Sequence, residues 1–162
     1  MGERELEYTW TVWIHFPYDT NWNIESYTKL CDISTIERLV YVMKSMESIT
    51  KNCMVFIMKK GVLPLWEHEQ NKGGGAFSYK IPEQNMMAFW NALVFRMIGC
   101  TLLKNSSDMS YVNGVTISPK KSFHIIKLWF KEYKGKESSI ENISINDDVN
   151  ITHEGKIYTA FT

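Results

Sequence analysis

Hydrophobic and polar residues alternate along residues 7–16, and this period of two predicts a β-strand. One face of the predicted strand carries Tyr8, Trp10, Val12, Ile14 and Phe16. The other face is not purely polar, because it includes Trp13 and His15. The segment 17–21 then breaks the alternation and leaves Trp22 on a connection.

Two segments show the spacing of amphipathic helices. Residues 34–37 read Ser-Thr-Ile-Glu, a capping-box pattern that predicts a helix start. The buried stripe of this helix is predicted to be Ile36, Leu39, Val40, Met43 and Met46. A second helix is predicted to open at residues 82–84, which begin with proline, and to end near Gly99. Its stripe is predicted to be Met86, Phe89, Trp90, Leu93, Val94 and Met97.

The remaining apolar runs are short and are separated by turn residues. Further strands are predicted at 53–58, 76–81, 112–118, 123–130 and 156–161. Strands that outnumber helices and follow one another closely favour an antiparallel sheet with two helices packed on one face, in the α+β class. Residues 134–150 are polar and are predicted to form a long loop. We expect residues 1–162 to form a single domain.

Composition narrows the functional classes. Eighteen basic residues balance 18 acidic ones, so non-specific binding to polyanions is not expected to be the main activity. Three widely spaced cysteines give no disulfide framework, the amino-terminal residues are charged, and no apolar run reaches the length of a membrane span. A soluble, cytoplasmic protein without a membrane partner is therefore expected.

The most distinctive segment places Trp66 beside Glu67 in a loop that runs into three glycines, 73–75. An indole face next to a carboxylate suits a site that stacks a flat, electron-poor ring and accepts hydrogen bonds from its edge. A positively charged, methylated purine fits both requirements. The alternative interpretation is a loop in which Trp66 packs on the core while Glu67 faces water.

The order of these aromatic residues resembles the eukaryotic translation initiation factor 4E family, which binds the 5′ cap of messenger RNA. The resemblance covers residues 7–131. It is carried by the pairs of aromatic residues in the first strand and second helix, by the segment 64–74 (Pro-Leu-Trp-Glu-His-Glu-Gln-Asn-Lys-Gly-Gly), and by Trp22 and Trp129. It implies a curved antiparallel sheet with two main helices on its convex face and a cap slot on its concave side.

The resemblance also implies roles for individual residues. Trp22 and Trp66 are expected to sandwich the 7-methylguanine ring, and Glu67 to accept hydrogen bonds from the guanine edge. Trp129 occupies the position whose indole meets the added methyl group, although core packing within its strand is the alternative.

Basic residues near the turn before the Trp129 strand are candidates for the cap triphosphate. Lys120 matches a phosphate-binding arginine of the family pattern, and Lys121 is its neighbour. A second family lysine is replaced by Ile125. Lys127 is the candidate substitute, because it lies two residues before Trp129 and therefore on the same face of the predicted strand. The alternative is an ordinary solvated hairpin turn.

The chain departs from the family at the surface that receives partner peptides. Val40 stands where the family carries a helix-borne tryptophan, and Asn91 and Ala92 replace the acidic and apolar partner positions on the second helix. A scaffold protein of the 4G type, a divergent replacement or no partner at all are therefore left open. The many Asn, Ile, Lys and Met residues suggest a parasitic or viral source.

No pattern indicates an enzyme. The scattered histidines and the Trp66 loop supply no metal-ligand spacing and no nucleophile, so no catalytic residue, metal or cofactor is expected. Three hypotheses follow. The chain is a cap-binding translation initiation factor, a cap-binding competitor that represses translation or protects RNA without the usual scaffold, or a protein-interaction module with purely structural aromatics.

Overall fold

The computed structural model describes residues 2–132 and 157–161. The predicted loop 134–150 lies outside the described residues. In chain order, the strands and helices are β1 Glu5–His15, β2 Thr28–Thr35, α1 Ile36–Met43, α2 Met46–Thr50, β3 Met54–Lys59, β4 Gly75–Pro82, α3 Met86–Ile98, β5 Val112–Pro119, β6 Phe123–Phe130 and β7 Ile157–Ala160. Short 3-10 turns occupy Ile24–Ser26, Glu83–Asn85 and Ser106–Tyr111.

The strands of the described part form one seven-stranded sheet in the order β2-β1-β3-β5-β6-β4-β7. Every neighbouring pair is antiparallel. The predicted α+β class, with a curved antiparallel sheet and helices on one face, is confirmed.

Each face of the sheet carries an apolar cluster, which explains why β1 is not polar on either side. On the helix face, Trp10 and Val12 of β1 pack in the main core with helix residues such as Leu39 and Trp90. On the opposite face, Trp13 packs on a smaller cluster of Phe56, Met58, Val62, Ala76 and Trp129. Alternate residues of each central strand therefore feed two different clusters.

Both main helices form where the pattern predicts, with corrections at their ends and at one position of the first stripe. Val40 was predicted to be buried but is 42% exposed, and Val42 is buried instead. Thr35 is the N-cap of α1, and its hydroxyl accepts a hydrogen bond from the Arg38 amide. The capping box predicted from Ser34 does not form, because the helix begins one residue later: Thr35 is the N-cap, which places Arg38 at the third helical position. The Glu37 carboxylate pairs instead with Arg4 at 3.0 Å. Helix α1 ends at Met43, so the predicted stripe continues to Met46 only through the separate helix α2.

The second helix begins later than its proline predicts. Pro82 is the last residue of β4, and a 3-10 turn separates it from α3. Gly99 ends the helix as predicted. Strand β2 was not predicted at all, and the last strand is confirmed as β7 over four residues. All three cysteines are free.

Candidate functional site

A cavity of about 360 Å³ opens on the sheet face opposite the helices. Its volume lies within the range of small-molecule sites. It is lined by Trp22, Tyr27, Met54, Phe56, Pro64, Leu65, Trp66, Glu67, Thr116, Ser118, Lys120, Ile125, Lys127 and Trp129. Six of the seven site residues proposed from the sequence therefore border one space.

The exception is Lys121. Both Lys120 and Lys121 lie exposed at the β5–β6 turn, where the Lys120 amide donates to the Phe123 carbonyl at 2.9 Å. Within the described residues, only the first of this pair lines the cavity. Lys127 is exposed and lies on the same face of β6 as Trp129, two residues along the strand.

Trp22 and Trp66 differ from the other tryptophans in their exposure. Trp22 is 47% exposed and Trp66 is 51% exposed, whereas Trp10 and Trp90 are fully buried in the main core. An indole that stays half in water contributes little to folding and leaves a face free for a ligand. Neither of the two predicted stacking rings is sealed in the interior.

Trp129 packs in the sheet, as the alternative interpretation expects, and also borders the cavity. It is 6% exposed and belongs to the smaller cluster, where its ring meets Phe56 edge-on at 6.3 Å and Phe161 at 5.1 Å. It also lines the cavity. It is therefore a packed wall of the cavity, in contrast to the two exposed indoles at the opening.

Aromatic rings form a continuous series along the cavity. Trp22 stacks on His15 with ring centroids 4.0 Å apart and planes 9° apart. Tyr27 meets His15 at 4.8 Å and Phe56 at 5.3 Å, and Phe56 leads on to Trp129. The sequence did not identify His15 or Tyr27 as site residues, although the position of His15 beside Trp13 on one strand face was a usable signal.

The cavity is bordered by one carboxylate and two lysines. Burial and, secondarily, the negative charge of Glu67 raise the pKa of Tyr27 to about 12. The Tyr27 hydroxyl therefore stays protonated near neutral pH. The Glu67 carboxylate is exposed beside Trp66, while Lys120 and Lys127 supply the cations. The cavity can hold an aromatic ring that donates hydrogen bonds to an acid and carries an anionic tail.

Buried amides hold the loop that carries Trp66 and Glu67. Asn71 is fully buried, and its Nδ2 donates to the carbonyls of Leu63 at 3.0 Å and Leu65 at 2.8 Å. Its Oδ1 accepts from Asn113 Nδ2 at 2.9 Å, and the same Nδ2 donates to the Gln70 carbonyl at 2.7 Å. Asn71 thus holds the backbone before Trp66, and Asn113 of β5 holds the residues that follow it. Sequence reasoning missed both asparagines; Asn113 could have been flagged as an amide in an otherwise apolar strand.

Gly73 completes this loop with a φ of +90°, a conformation that favours glycine. Within the described residues, no group of three or more His, Cys, Asp or Glu side chains could hold a metal ion. In the same part of the chain, no helix has both the length and the apolar character needed to cross a membrane.

Comparison with known proteins gives consistent results. The family model described as Eukaryotic initiation factor 4E matches residues 5–157. The eukaryotic translation initiation factor 4E homolog of Acanthamoeba polyphaga mimivirus is 30% identical over 131 residues, which cover 65% of this chain and 48% of that protein. Eukaryotic translation initiation factor 4E of Xenopus laevis is 23% identical, with 96% of this chain and 70% of that protein covered. The chain thus spans about half the length of the viral relative.

Among solved structures, a schistosome eIF4E complexed with m7GpppA and 4E-BP has a similar fold. The TM-score is 0.85 at 18% identity, and the match covers 99% of this chain and 89% of that one.

Proposed function

Because the chain belongs to the eukaryotic initiation factor 4E family, we propose that it binds the 7-methylguanosine 5′ cap of messenger RNA in translation initiation. The observation that carries the proposal is one cavity bordered by two half-exposed indoles, a carboxylate and two lysines. The schistosome relative of the same fold was solved in complex with m7GpppA.

Trp22 and Trp66 stack on the two faces of the methylated base. Methylation at N7 gives the purine a positive charge, so each indole face gains a cation–π attraction of about 0.5–2 kcal/mol. Two faces together favour the methylated over the unmethylated base by about 1–4 kcal/mol, or roughly 5-fold to 1000-fold in affinity. Their exposure of 47% and 51% argues against a purely structural role for these rings.

Glu67 reads the edge of the base. A carboxylate accepts hydrogen bonds from the N1 and N2 hydrogens of guanine, whereas adenine offers no matching pair of donors. The neighbouring Tyr27 keeps its proton, since its pKa is raised to about 12, and so adds no second negative charge near the base.

Trp129 forms the wall that meets the added methyl group, and Lys120 and Lys127 neutralise the triphosphate. Lysine lacks the bidentate fork of arginine, so these contacts act as point charges and weaken as salt rises.

Equilibrium titrations with 7-methyl-GTP and GTP test the proposal. Intrinsic tryptophan fluorescence should be quenched by both, with the methylated nucleotide binding at least about fivefold more tightly. Equal affinity for the two nucleotides, or no binding of either, would contradict methyl recognition by stacking.

Substitution of Glu67 tests edge recognition separately. Glu67→Ala and Glu67→Gln are expected to weaken 7-methyl-GTP binding by about 1.5–3 kcal/mol, because a charge-assisted pair is lost. Thermal stability should stay unchanged, because Glu67 is exposed. Glu69→Gln in the same loop is the matched control, since Glu69 is also exposed but does not line the cavity. A similar loss in the Glu69 variant would remove the role assigned to Glu67.

A partner-binding role rests on a different surface. Val40 of α1 and Phe95 of α3 are each 42% exposed, which leaves apolar side chains in water on the helix face. We therefore propose that an apolar partner segment of the scaffold or 4E-binding class docks here. The schistosome structure contains 4E-BP.

Whether this protein activates or competes depends on that surface. The second candidate function is a cap-binding competitor, favoured by the replacement of the partner-binding tryptophan with Val40. Adding the protein to a translation extract depleted of its own cap-binding factor separates the two. Restored translation that Val40→Asp abolishes supports the initiation factor, whereas no restoration in the depleted extract together with repression of an undepleted extract supports the competitor. Val40→Asp should leave 7-methyl-GTP binding intact, because Val40 does not line the cap cavity.

A further inference from the structure

One face of the Trp22 indole is covered by another ring, which leaves the opposite face for a base. The His15 ring lies parallel to the indole, with centroids 4.0 Å apart and an interplanar angle of 9°. His15 is fully buried at the end of β1, whereas Trp22 is 47% exposed on the following loop. One indole face therefore rests on a fixed ring, and the exposed remainder borders the cavity.

His15 also holds the backbone of that loop. Its Nε2 lies 2.8 Å from the carbonyl oxygen of Asn21, the residue immediately before Trp22. Because a carbonyl can only accept, Nε2 must carry the proton. Asn21 is fixed further, since its amide donates to Asp19 Oδ1 at 2.9 Å and its own Oδ1 accepts from the Asn23 amide at 2.9 Å.

Tyr27 restricts the remaining freedom of both rings. Its ring contacts His15 at 4.8 Å with a 53° tilt and meets Trp22 edge-on at 6.4 Å. The imidazole is therefore enclosed by an indole, a phenol and the strand on which it stands. Such a packed pair predetermines the orientation of Trp22 before any ligand arrives, which lowers the entropy lost on binding.

We propose that His15 is a positioning residue for cap binding, which acts through Trp22 by forming the rear layer of a His15–Trp22–base stack. This inference rests on the proposed function and adds a third ring to the recognition site. Without the imidazole, Trp22 would stay tethered to an exposed loop and would sample orientations that cannot stack on the base. The simpler alternative is that His15 only fills space in the fold.

A double-mutant cycle separates these two roles. His15→Leu introduces an apolar side chain of similar size and removes both the flat ring and the hydrogen bond to Asn21. We expect it to weaken 7-methyl-GTP binding by about tenfold. His15→Phe restores the flat ring and should recover affinity to within about threefold. In a Trp22→Ala background, His15→Leu should cause no further loss. Val12→Ala on the helix face of β1 is the matched control, because it lowers stability without touching the cavity.

The outcomes distinguish this inference from the proposed function. If Trp22→Ala leaves 7-methyl-GTP binding unchanged, the stacking site itself is wrong. If Trp22→Ala weakens binding while His15→Leu does not, only the role of His15 is wrong. An equal loss from His15→Leu in the presence and absence of Trp22, or no recovery in His15→Phe, would likewise overturn it.

Histidine side-chain NMR of the unaltered protein gives a test that does not depend on the folding of any His15 variant. We expect His15 to be the Nε2–H tautomer and its ring signals to shift when 7-methyl-GTP binds. The opposite tautomer, or ring signals that do not respond to the nucleotide, would refute the three-layer stack.

Discussion

The buried amide of Asn71 should decide whether the Trp66 loop keeps its shape. Asn71→Ala removes three hydrogen bonds, to the carbonyls of Leu63 and Leu65 and from Asn113. At about 0.5–1.5 kcal/mol net for each bond, the free energy of unfolding should fall by about 1.5–4.5 kcal/mol. Leu65 directly precedes Trp66, so release of its carbonyl should also loosen the indole and weaken 7-methyl-GTP binding.

Two related variants should lose stability to different extents. Asn113→Ala removes two hydrogen bonds, to Asn71 and to the Gln70 carbonyl, and leaves the two carbonyl contacts of Asn71 in place. Its loss should be smaller, about 1–3 kcal/mol. Asn71→Asp keeps the size of the side chain but turns both donors into acceptors that face carbonyl oxygens, so it should be at least as damaging as alanine.

Urea unfolding measures the stability of each variant, and fluorescence titration with 7-methyl-GTP measures the affinity of the folded fraction. A fall in the free energy of unfolding of less than about 0.5 kcal/mol for Asn71→Ala would contradict the structural role of this amide. Nucleotide binding by the destabilised variant as tight as that of the parent would contradict its effect on Trp66.

Three further predictions concern other parts of the molecule. Lys120→Ala should weaken the binding of 7-methyl-GTP more than that of 7-methylguanosine, and it should make 7-methyl-GTP binding less dependent on salt. Lys121→Ala should change neither the affinity nor the salt dependence. Equal effects of the two substitutions would contradict the assignment of Lys120 to the phosphates. Burial lowers the pKa of Lys59 from 10.5 to about 8. Above pH 8 the unfolded chain therefore holds more protons than the folded one, so the free energy of unfolding should rise from pH 8 to 9. Urea unfolding at both pH values should show that rise reduced in Lys59→Met. Gly114→Ala should lower the free energy of unfolding by about 1–3 kcal/mol in urea, because the new Cβ would lie 2.5 Å from the Ile57 carbonyl oxygen and the Met58 sulfur of β3. Full stability of this variant would show that the strands can move apart.

The strands with strong patterns could be predicted from sequence, and the weakly patterned one could not. β1 alternates clearly and β3 is a continuous apolar run, so both were found. β2 reads Thr-Lys-Leu-Cys-Asp-Ile-Ser-Thr and lies at the sheet edge, where only β1 pairs with it. Its pattern is mixed because one side faces solvent, and its pairing partner rather than its own sequence makes it a strand.

The ends of the helices were decided by contacts that local patterns do not contain. Glu37 has capping-box spacing only from Ser34, but the N-cap is Thr35, and the Glu37 carboxylate pairs with Arg4, 33 residues earlier. The pairing of two such distant residues follows from the fold and not from a local motif.

Some residues of the candidate site can be recognised from the sequence, and others cannot. Trp22, Trp66 and Glu67 stand out because large aromatics and an acid occur in polar loops, and the structure gathers them at one cavity. The residues that support them are separated along the chain: Asn71 and Asn113 are 42 residues apart. An asparagine in a loop normally faces water, so nothing in its neighbours shows that Asn71 is buried.

A crystal structure of the protein with 7-methyl-GTP tests the central proposal most directly. We predict that the methylated base lies between the indoles of Trp22 and Trp66, with its N1 and N2 hydrogens directed at the Glu67 carboxylate and its phosphates towards Lys120. A nucleotide bound elsewhere, or one held at Lys120 only through its phosphates with the base outside the two rings, would contradict it.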